Sequence, residues 1–175
     1  ALWQRVAADA HPALWLTGSD TEAADASALG IPHIPRTSWR GFWRTARARV
    51  LVVTHGFGDV NRYAVSGAFV AQLWHGIPLK RIGLDSPETL RSSILPRSRL
   101  LPAASPLVRG RLESAFGLPD ARVPVTGEPR VDVLSTGTPD ERRERARAVL
   151  AHAGLPPLGD SRLVLYAPTW RDGEP

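Results

Sequence analysis

Val50-Leu51-Val52-Val53-Thr54 is an apolar, β-branched run, and it determines the fold class that we expect for this chain. Such a run is typical of a strand that is buried on both faces of a parallel sheet. Phe69-Val70-Ala71-Gln72-Leu73-Trp74 has the same character. We therefore expect both runs to be inner strands of one parallel sheet.

Helix signals alternate with strand signals along the rest of the chain. A capping box at Ser19-Asp20-Thr21-Glu22 predicts a helix that stops at Gly30. A hydroxyl residue before a proline predicts three further helix starts, at Ser86-Pro87, Ser105-Pro106 and Thr138-Pro139. We expect these three helices to run to about Ile94, Phe116 and Ala153, and a further helix to span Trp39 to Ala48.

Shorter strands are predicted between these helices. They are residues 13–17, 31–35, 99–104 and 123–125. Strands that alternate with helices predict an α/β protein with a doubly wound, Rossmann-type parallel sheet, whose binding sites gather at the carboxyl ends of the strands.

Composition limits the function classes. The 175 residues have a mass of 19.0 kDa, with 43% apolar and 22% charged residues, as in a globular protein. No apolar run approaches the roughly 18 residues that a membrane span needs. The chain has no cysteine, which excludes disulfides, thiolate zinc sites and a cysteine nucleophile. The net charge of +5 favours anionic partners, and Lys80 is the only lysine among 22 basic residues.

The carboxyl-terminal part has a different character. Residues 135–160 are expected to form a solvated connector helix followed by a linker with Gly154, Pro156, Pro157 and Gly159. Residues 163–167 then resemble a fresh buried strand. We interpret residues 1–134 as one domain and 161–175 as the start of a second Rossmann-like domain. Because the chain has no methionine, we expect it to be a segment of a longer protein.

The densest group of reactive residues is Trp74-His75-Gly76-Ile77-Pro78-Leu79-Lys80-Arg81. A histidine at the carboxyl end of an inner strand points into the crevice, where a neutral imidazole can accept a proton from an attacking hydroxyl. Because Gly76 has no side chain, a ligand could approach its backbone closely, or Gly76 itself could adopt a positive φ. Lys80 and Arg81 could neutralise phosphate oxygens. The alternative is a strand-end turn with a core histidine and two solvated cations.

Two further groups follow later strands. In Thr126-Gly127-Glu128-Pro129-Arg130-Val131-Asp132, a helical turn opening at Pro129 and the Arg130 guanidinium suit a phosphate, although a surface pair of Arg130 with Asp132 is an alternative. In Ala167-Pro168-Thr169-Trp170-Arg171-Asp172, the indole could stack on a ligand or pack between domains.

Two weaker signals lie in the amino-terminal half. His55-Gly56-Phe57-Gly58-Asp59 follows a strand, and its two glycines suggest a loop close to a ligand. Residues 39–49 mix aromatic residues with four arginines, so this helix could lie against an anionic membrane surface or simply present a solvated face.

Taken together, the three groups resemble the CDP-glycerol glycerophosphotransferase family of teichoic acid polymerases and primases. The family's Trp-His-Gly and Thr-Pro-Leu-Lys elements correspond to Trp74-His75-Gly76-Ile77-Pro78-Leu79-Lys80. Its Gly-Tyr-Pro-Arg-Asn-Asp element corresponds to residues 127–132, and its Tyr-Ala-Pro-Thr-Trp-Arg element to residues 166–171. Ile77 replaces the family's threonine, Glu128 its tyrosine and Val131 its asparagine.

The resemblance implies a GT-B architecture, with two Rossmann-like domains facing a cleft and the donor held mainly by the carboxyl-terminal one. It implies His75 as a general base that deprotonates a glycerol or ribitol hydroxyl for attack on the β-phosphorus of CDP-glycerol or CDP-ribitol, with loss of CMP. The positions that it assigns to substrate binding are Gly76, Pro78, Lys80, Arg81, Gly127, Arg130, Asp132, Thr169, Trp170, Arg171 and Asp172.

The resemblance also implies the setting of the reaction. The acceptor would be lipid-linked, the product a teichoic-acid or capsule-like polymer, and the enzyme a cytoplasmic protein on the inner, anionic face of the cell membrane. No metal, other cofactor or nucleic acid is implied. A second catalytic residue would lie outside this chain, so we expect the chain alone to be inactive.

Two alternatives remain open from the sequence. One is a GT-B nucleotide-sugar glycosyltransferase or epimerase, which shares the topology. The other is a basic module without catalytic activity that binds polyanions or membranes.

Overall fold

A computed structural model describes residues 3, 5, 6, 9, 12–65, 67–79, 81–86, 97–157, 159 and 162–166. The chain divides into two compact units, residues 1–133 and 134–175. The strands are β1 (Trp15–Thr17), β2 (His33–Pro35), β3 (Val50–Val53) and β4 (Phe69–Gln72). The helices are α1 (Asp20–Ala28), α2 (Trp39–Ala46), α3 (Pro106–Phe116), α4 (Asp132–Ser135) and α5 (Pro139–His152). Short parallel strands thus alternate with helices, which confirms a mixed α/β protein.

The strands of the first unit pair in parallel. β1 pairs with β2, with Trp15 opposite His33, and β3 pairs with β4, with Val50 opposite Phe69. The row continues from β4 through single parallel bridges, Ala71 with Leu100 and Ala103 with Val125.

The strands predicted over 99–104 and 123–125 are therefore only isolated bridges, and two prolines explain why. The Gln72 N–H donates to the Leu100 carbonyl at 2.8 Å, and the next rung of this parallel ladder would use the N–H of residue 102, which is proline. On the other side of this segment, the Leu101 N–H donates to the Arg122 carbonyl and the Ala103 N–H to the Pro124 carbonyl. A bond between these two would need the N–H of residue 124, which is also proline. A proline inside a strand removes a ladder hydrogen bond, so neither segment forms a longer strand.

Two apolar clusters form the core of the first unit. One contains Leu51, Val53, Val60 and Val70. The other joins α3 to the two bridged segments and contains Leu101, Ala103, Val108, Leu112, Leu118 and Val123, with Trp74 and Phe116 packed against it. This second cluster lies beneath the segment that follows β4, so it supports the position of that segment.

The burial predicted for the inner strands holds for three of the four residues of β4 and for only one face of β3. In β4, Val70, Ala71 and Gln72 are buried, whereas Phe69 is 45% exposed. In β3, Leu51 and Val53 are buried but Val50 and Val52 are 57% and 48% exposed. Successive strand side chains point to opposite faces, and only one face of β3 packs on the core cluster.

Most predicted helix starts are present where they lie in the described residues. The hydroxyls of Ser19, Ser105 and Thr138 each accept an N–H from the residue three positions later. Gly117 ends α3 in the left-handed conformation, with φ of 59°. The helix predicted over residues 87–94 lies outside the described residues.

The second unit contains α5, which has no buried residue. Described residues 162–166 form no strand, and Val164 and Tyr166 are 88% and 86% exposed. The prediction of a buried strand is therefore wrong for residues 163–166, and Ala167 lies outside the described residues. A strand needs paired neighbours to bury its faces, and the described part of this unit has no other strand. Within the described part of the whole chain, no helix has the length and apolarity needed to cross a bilayer.

Candidate active site

The site lies where two neighbouring parallel strands end. His55 follows β3 by two residues and His75 follows β4 by three. The Leu73 N–H donates to the Val53 carbonyl at 2.7 Å and extends the pairing one step beyond β4. Both histidines therefore emerge at the carboxyl edge of the sheet, where α/β proteins bind ligands. Both side chains are exposed, so His75 is not a core histidine.

A backbone hydrogen bond fixes the proton position on the His75 ring. Its Nδ1 lies 2.9 Å from the Thr54 carbonyl oxygen. A carbonyl oxygen only accepts, so Nδ1 must carry the proton in this contact. In the neutral ring the lone pair then lies on Nε2. His75 can accordingly accept a proton at Nε2 while it keeps its bond to Thr54.

Two aromatic rings stack on the His75 ring and fix its orientation. The His55 ring stacks on it with centroids 4.6 Å apart and planes 12° apart, and the Trp74 ring stacks at 4.6 Å and 29°. Trp74 also meets the Phe116 ring edge-on at 5.5 Å, which ties this group to the core. Trp74 has a φ of 63°, the only positive φ of a non-glycine residue in the described chain. A bulky residue in this conformation is strained, and such strain is typical of functional sites.

The weak sequence signal at residues 55–59 proves to lie against His75. The Asp59 carboxylate accepts hydrogen bonds from the loop backbone, and Gly56 turns that loop with φ of 101° and ψ of −140°. The sequence alone does not predict His55 or Asp59 as site residues. Their position directly after a strand and the flanking glycines were the available signal.

Arg130 brings the second sequence group to the first. Its Nη1 donates to the His75 carbonyl oxygen at 2.7 Å, and its Nε donates to the Glu128 carboxylate at 2.6 Å. Glu128 is buried, at 6% exposure, whereas the Arg130 side chain is 48% exposed. A buried carboxylate needs such a partner, so this pair fixes the loop after residue 125 beside His75.

The glycines of the two groups differ in their backbone. Gly127 has a positive φ of 80°. Gly76 does not, so of the two roles predicted for it the positive φ is wrong. Apart from its two chain neighbours, no described residue comes within 4 Å of the position that a Cβ would take at Gly76, which leaves the approach to its backbone open.

The other predicted site residues are placed as follows. Pro78 is buried and lines a groove of about 340 Å³ with residues of α3, whereas Arg81 and Asp132 are exposed. The turn at Pro129 is a 3-10 turn over Pro129–Val131, followed by the four-residue α4. A helix this short sums few peptide dipoles, so the turn gives little of the anion attraction that we expected. Lys80, Thr169, Trp170, Arg171 and Asp172 lie outside the described residues.

Comparison with known proteins gives three curated relatives. The chain is 27% identical over 156 residues to a teichoic acid glycerol-phosphate transferase of Staphylococcus aureus (strain NCTC 8325 / PS 47), covering 82% of this chain and 39% of the relative. It is 34% identical over 115 residues to a teichoic acid poly(glycerol phosphate) polymerase of Staphylococcus epidermidis, covering 59% and 15%. A polymerase with the same description from Bacillus subtilis (strain 168) is 29% identical over 157 residues, covering 83% and 20%.

The chain therefore spans between 15% and 39% of the length of these relatives. No solved structure matches it. The family model described as CDP-Glycerol:Poly(glycerophosphate) glycerophosphotransferase matches residues 3–175, nearly the whole chain. From this match, the chain belongs to the CDP-glycerol:poly(glycerophosphate) glycerophosphotransferase family.

Proposed function

We propose that this chain is part of an enzyme that transfers glycerol phosphate, or ribitol phosphate, from a CDP-alditol to a hydroxyl of a lipid-linked acceptor. The observation that carries the proposal is the bond from His75 Nδ1 to the Thr54 carbonyl, which leaves the Nε2 lone pair on an exposed ring. A general base needs such an available lone pair within reach of a hydroxyl proton.

In the proposed reaction, His75 Nε2 takes the proton of the acceptor hydroxyl as its oxygen attacks the β-phosphorus of the donor. The new P–O bond forms a phosphodiester, the bond from the β-phosphorus to the bridging oxygen breaks, and CMP leaves with that oxygen. Negative charge builds on the phosphoryl oxygens, and nearby cations stabilise it. Lys80, Arg81 and Arg171 are the side chains that we propose for this role.

Arg130 would also stabilise the negative charge on the phosphoryl oxygens, and it has a second role in positioning the loop. A guanidinium has five N–H donors, and contacts to Glu128 and to the His75 carbonyl engage Nε and Nη1. We propose that Arg130 positions the loop beside His75 and offers its remaining donors to phosphate oxygens. The other substrate-binding positions that we propose are Gly76, Pro78, Gly127, Asp132, Thr169, Trp170 and Asp172.

We also propose the domain arrangement of the whole enzyme. Residues 1–134 would form the acceptor-side domain of a GT-B enzyme, 135–160 a connector, and 161–175 the start of the nucleotide-binding domain. Support comes from the family match and from the short length that the chain covers in its relatives. Since a GT-B cleft needs both walls, the chain alone would be inactive.

A membrane-facing surface accords with a lipid-linked acceptor. On α2, Trp39 and Trp43 are 75% and 51% exposed, and their rings stack on each other at 6.5 Å. The exposed arginines of the same helix region are Arg40, Arg44 and Arg47, and Arg47 lies over the Trp43 ring at 5.7 Å. We call these five residues the Trp–Arg face. Exposed indoles with arginines suit the interface of an anionic membrane, so we propose a cytoplasmic enzyme on the inner membrane surface.

The test is the His75→Ala variant of the full-length enzyme, assayed by CMP release from CDP-glycerol and CDP-ribitol. Loss of a general base should lower turnover about 100-fold or more. His33→Ala is the matched control, because His33 Nδ1 also contacts a backbone carbonyl, that of Ile31 at 2.9 Å, but at the start of a strand.

Three outcomes would overturn parts of the proposal. Unchanged turnover in the folded His75→Ala variant would move the base elsewhere, and turnover of a UDP-sugar alone would make the enzyme a sugar transferase or epimerase. A steep salt dependence of binding to a generic polyanion, without any response to CDP-alditols, would instead indicate a polyanion-binding module.

A further inference from the structure

Asp59 concentrates three hydrogen bonds on one carboxylate oxygen. Its Oδ2 accepts the Thr54 N–H at 2.5 Å, the His55 N–H at 2.8 Å and the Thr54 hydroxyl at 3.1 Å. Asp59 is itself tied back to the loop, because its N–H donates to the Gly56 carbonyl at 3.1 Å. Hydrogen bonds to an ionised acceptor are roughly twice as strong as neutral ones, so this oxygen fixes the two peptides after β3.

The peptide that Asp59 holds is the one that holds His75. Thr54 presents its N–H to Asp59 and its carbonyl oxygen to His75 Nδ1. Sheet pairing does not engage this carbonyl, since the last rung from Leu73 uses the carbonyl of Val53. The direction of the Thr54 carbonyl therefore depends on the loop, and the loop is anchored by Asp59.

The neighbouring contacts leave a single arrangement of protons. The Thr54 Oγ1 lies 3.1 Å from Asp59 Oδ2 and 2.9 Å from His55 Nδ1. Its one proton must go to the ionised carboxylate, which only accepts, so His55 Nδ1 must donate to the hydroxyl. His55 is thereby held in the orientation in which its ring stacks on His75. Asp59 thus supports the His75 ring by two routes, through the Thr54 peptide and through His55.

We propose that Asp59 is a positioning residue for His75: it sets the Nδ1–H tautomer and the orientation of the ring without touching it. This inference rests on the proposed role of His75 as the general base. Partners that orient a functional imidazole through its other nitrogen typically contribute about 10-fold to 100-fold to activity in the related case of metal-bound histidine.

The experiment uses the full-length enzyme with Asp59→Ala, Asp59→Asn and the control Asp25→Ala, which removes an exposed carboxylate of α1. For Asp59→Ala we expect kcat to fall about 10-fold to 100-fold, with KM for CDP-glycerol changed less than about twofold. The kcat of Asp59→Asn should lie between that of Asp59→Ala and that of wild type, because the amide oxygen of asparagine still accepts the two peptide N–H groups but has no charge. Asp25→Ala should match wild type.

Nitrogen NMR of the histidine rings supplies the readout that a purely structural role would not change. In wild type, Nδ1 of His75 should carry the proton, and in Asp59→Ala a part of the population should carry it on Nε2. If Asp59→Ala does not fold, the same spectrum is recorded on Asp59→Asn. An unchanged tautomer in the folded variants overturns the inference, whether or not kcat falls, and so does an unchanged kcat.

The two proposals fail separately. Retained turnover in His75→Ala would refute the general base, while the ring spectra would still report whether Asp59 holds the tautomer. Loss of turnover in His75→Ala, combined with wild-type spectra and kcat in Asp59→Ala, would refute only the positioning role.

Discussion

Gly56 lies at the tight turn of the loop that supports the candidate base. Its φ of 101° and ψ of −140° fall in a region that side chains exclude, and they turn the chain so that the Asp59 carboxylate faces back to Thr54. Gly58 lies in the same loop but has no positive φ, and apart from its chain neighbours and its own turn no described residue comes within 4 Å of its Cβ position. The two glycines are therefore a matched pair.

Gly56→Ala is expected to destabilise the protein by about 2 kcal/mol, the usual cost of a side chain in a sparsely populated backbone region. The free energy of unfolding of Gly58→Ala should stay within about 0.5 kcal/mol of that of wild type, because the backbone there is unstrained and the added methyl group has room. Urea unfolding of both variants measures the difference. Equal shifts would show that the loop conformation at Gly56 is not enforced.

At this scale the sequence predicts positions better than contacts. His75 could be placed at the carboxyl edge because strand alternation is a local pattern. Its partners could not, because the bonds from His75 to Thr54 and from Arg130 to His75 depend on which strands are neighbours. The residues joined by the second bond are 55 positions apart, and no spacing rule connects them.

Helix α5 shows how much local sequence decides at the scale of an element. The Thr138 hydroxyl accepts the Glu141 N–H at 3.3 Å, and the Glu141 carboxylate accepts the Thr138 N–H at 2.7 Å. The backbone N–H of Thr138 is the main cause that lowers the pKa of Glu141 below its ordinary value of 4.5, followed by the Thr138 side chain, with Arg145 adding to both. A lowered pKa means that this cap stabilises the helix above pH 4.5 and is lost as the pH falls through the lowered value.

We therefore expect α5 to lose helix content in acid, below pH 4.5, as Glu141 is protonated. In Glu141→Gln this step should disappear, because the amide does not titrate. Glu144→Gln, on the same exposed helix, is the control and should keep the wild-type titration. Amide chemical shifts along α5 during an acid titration measure it, and an identical midpoint in Glu141→Gln would contradict the assignment.

Elements differ in how far sequence predicts them. Helix starts are encoded within four residues, so Ser105-Pro106 and Thr138-Pro139 predict them well. Strands depend on partners that local sequence does not show. Within the described residues, the run at residues 163–166 has no strand partner, and no element covers the exposed face of β3 that carries Val50 and Val52. Proline is the exception, since Pro102 and Pro124 are visible in the sequence and could have predicted the interrupted segments.

For the whole molecule, net charge makes the most direct prediction. With a net charge of +5, the protein should bind vesicles that contain phosphatidylglycerol more tightly than neutral phosphatidylcholine vesicles, and salt should weaken the binding. Replacing both indoles of the Trp–Arg face, Trp39→Ala with Trp43→Ala, should weaken binding about tenfold, because two large apolar side chains leave the interface.

Leu107→Ala is the control in this experiment, since Leu107 is 73% exposed on α3, outside the Trp–Arg face. Vesicle sedimentation over a range of salt concentrations measures all three proteins. Equal losses for the indole variant and for Leu107→Ala, or binding that ignores lipid charge, would rule out the Trp–Arg face as the contact.

The mixed α/β class of the molecule could be predicted from the sequence, because alternation of strands and helices needs only local patterns. Its family could also be identified from three short motifs. The way in which strand ends, loops and arginines converge is a property of the folded chain alone, and two of the three motifs meet at His75.

Pro102 has a consequence beyond the length of the sheet. With no amide hydrogen there, the bonds that join β4 to the segment around Leu100 stop at Gln72, and the chain beyond it keeps only the bond from the Leu73 N–H to the Val53 carbonyl on its other side. The backbone then takes the left-handed conformation at Trp74, with φ of 63°, immediately before His75. A ring closed on a backbone nitrogen thus ends the ladder two residues before the turn that precedes the reactive histidine.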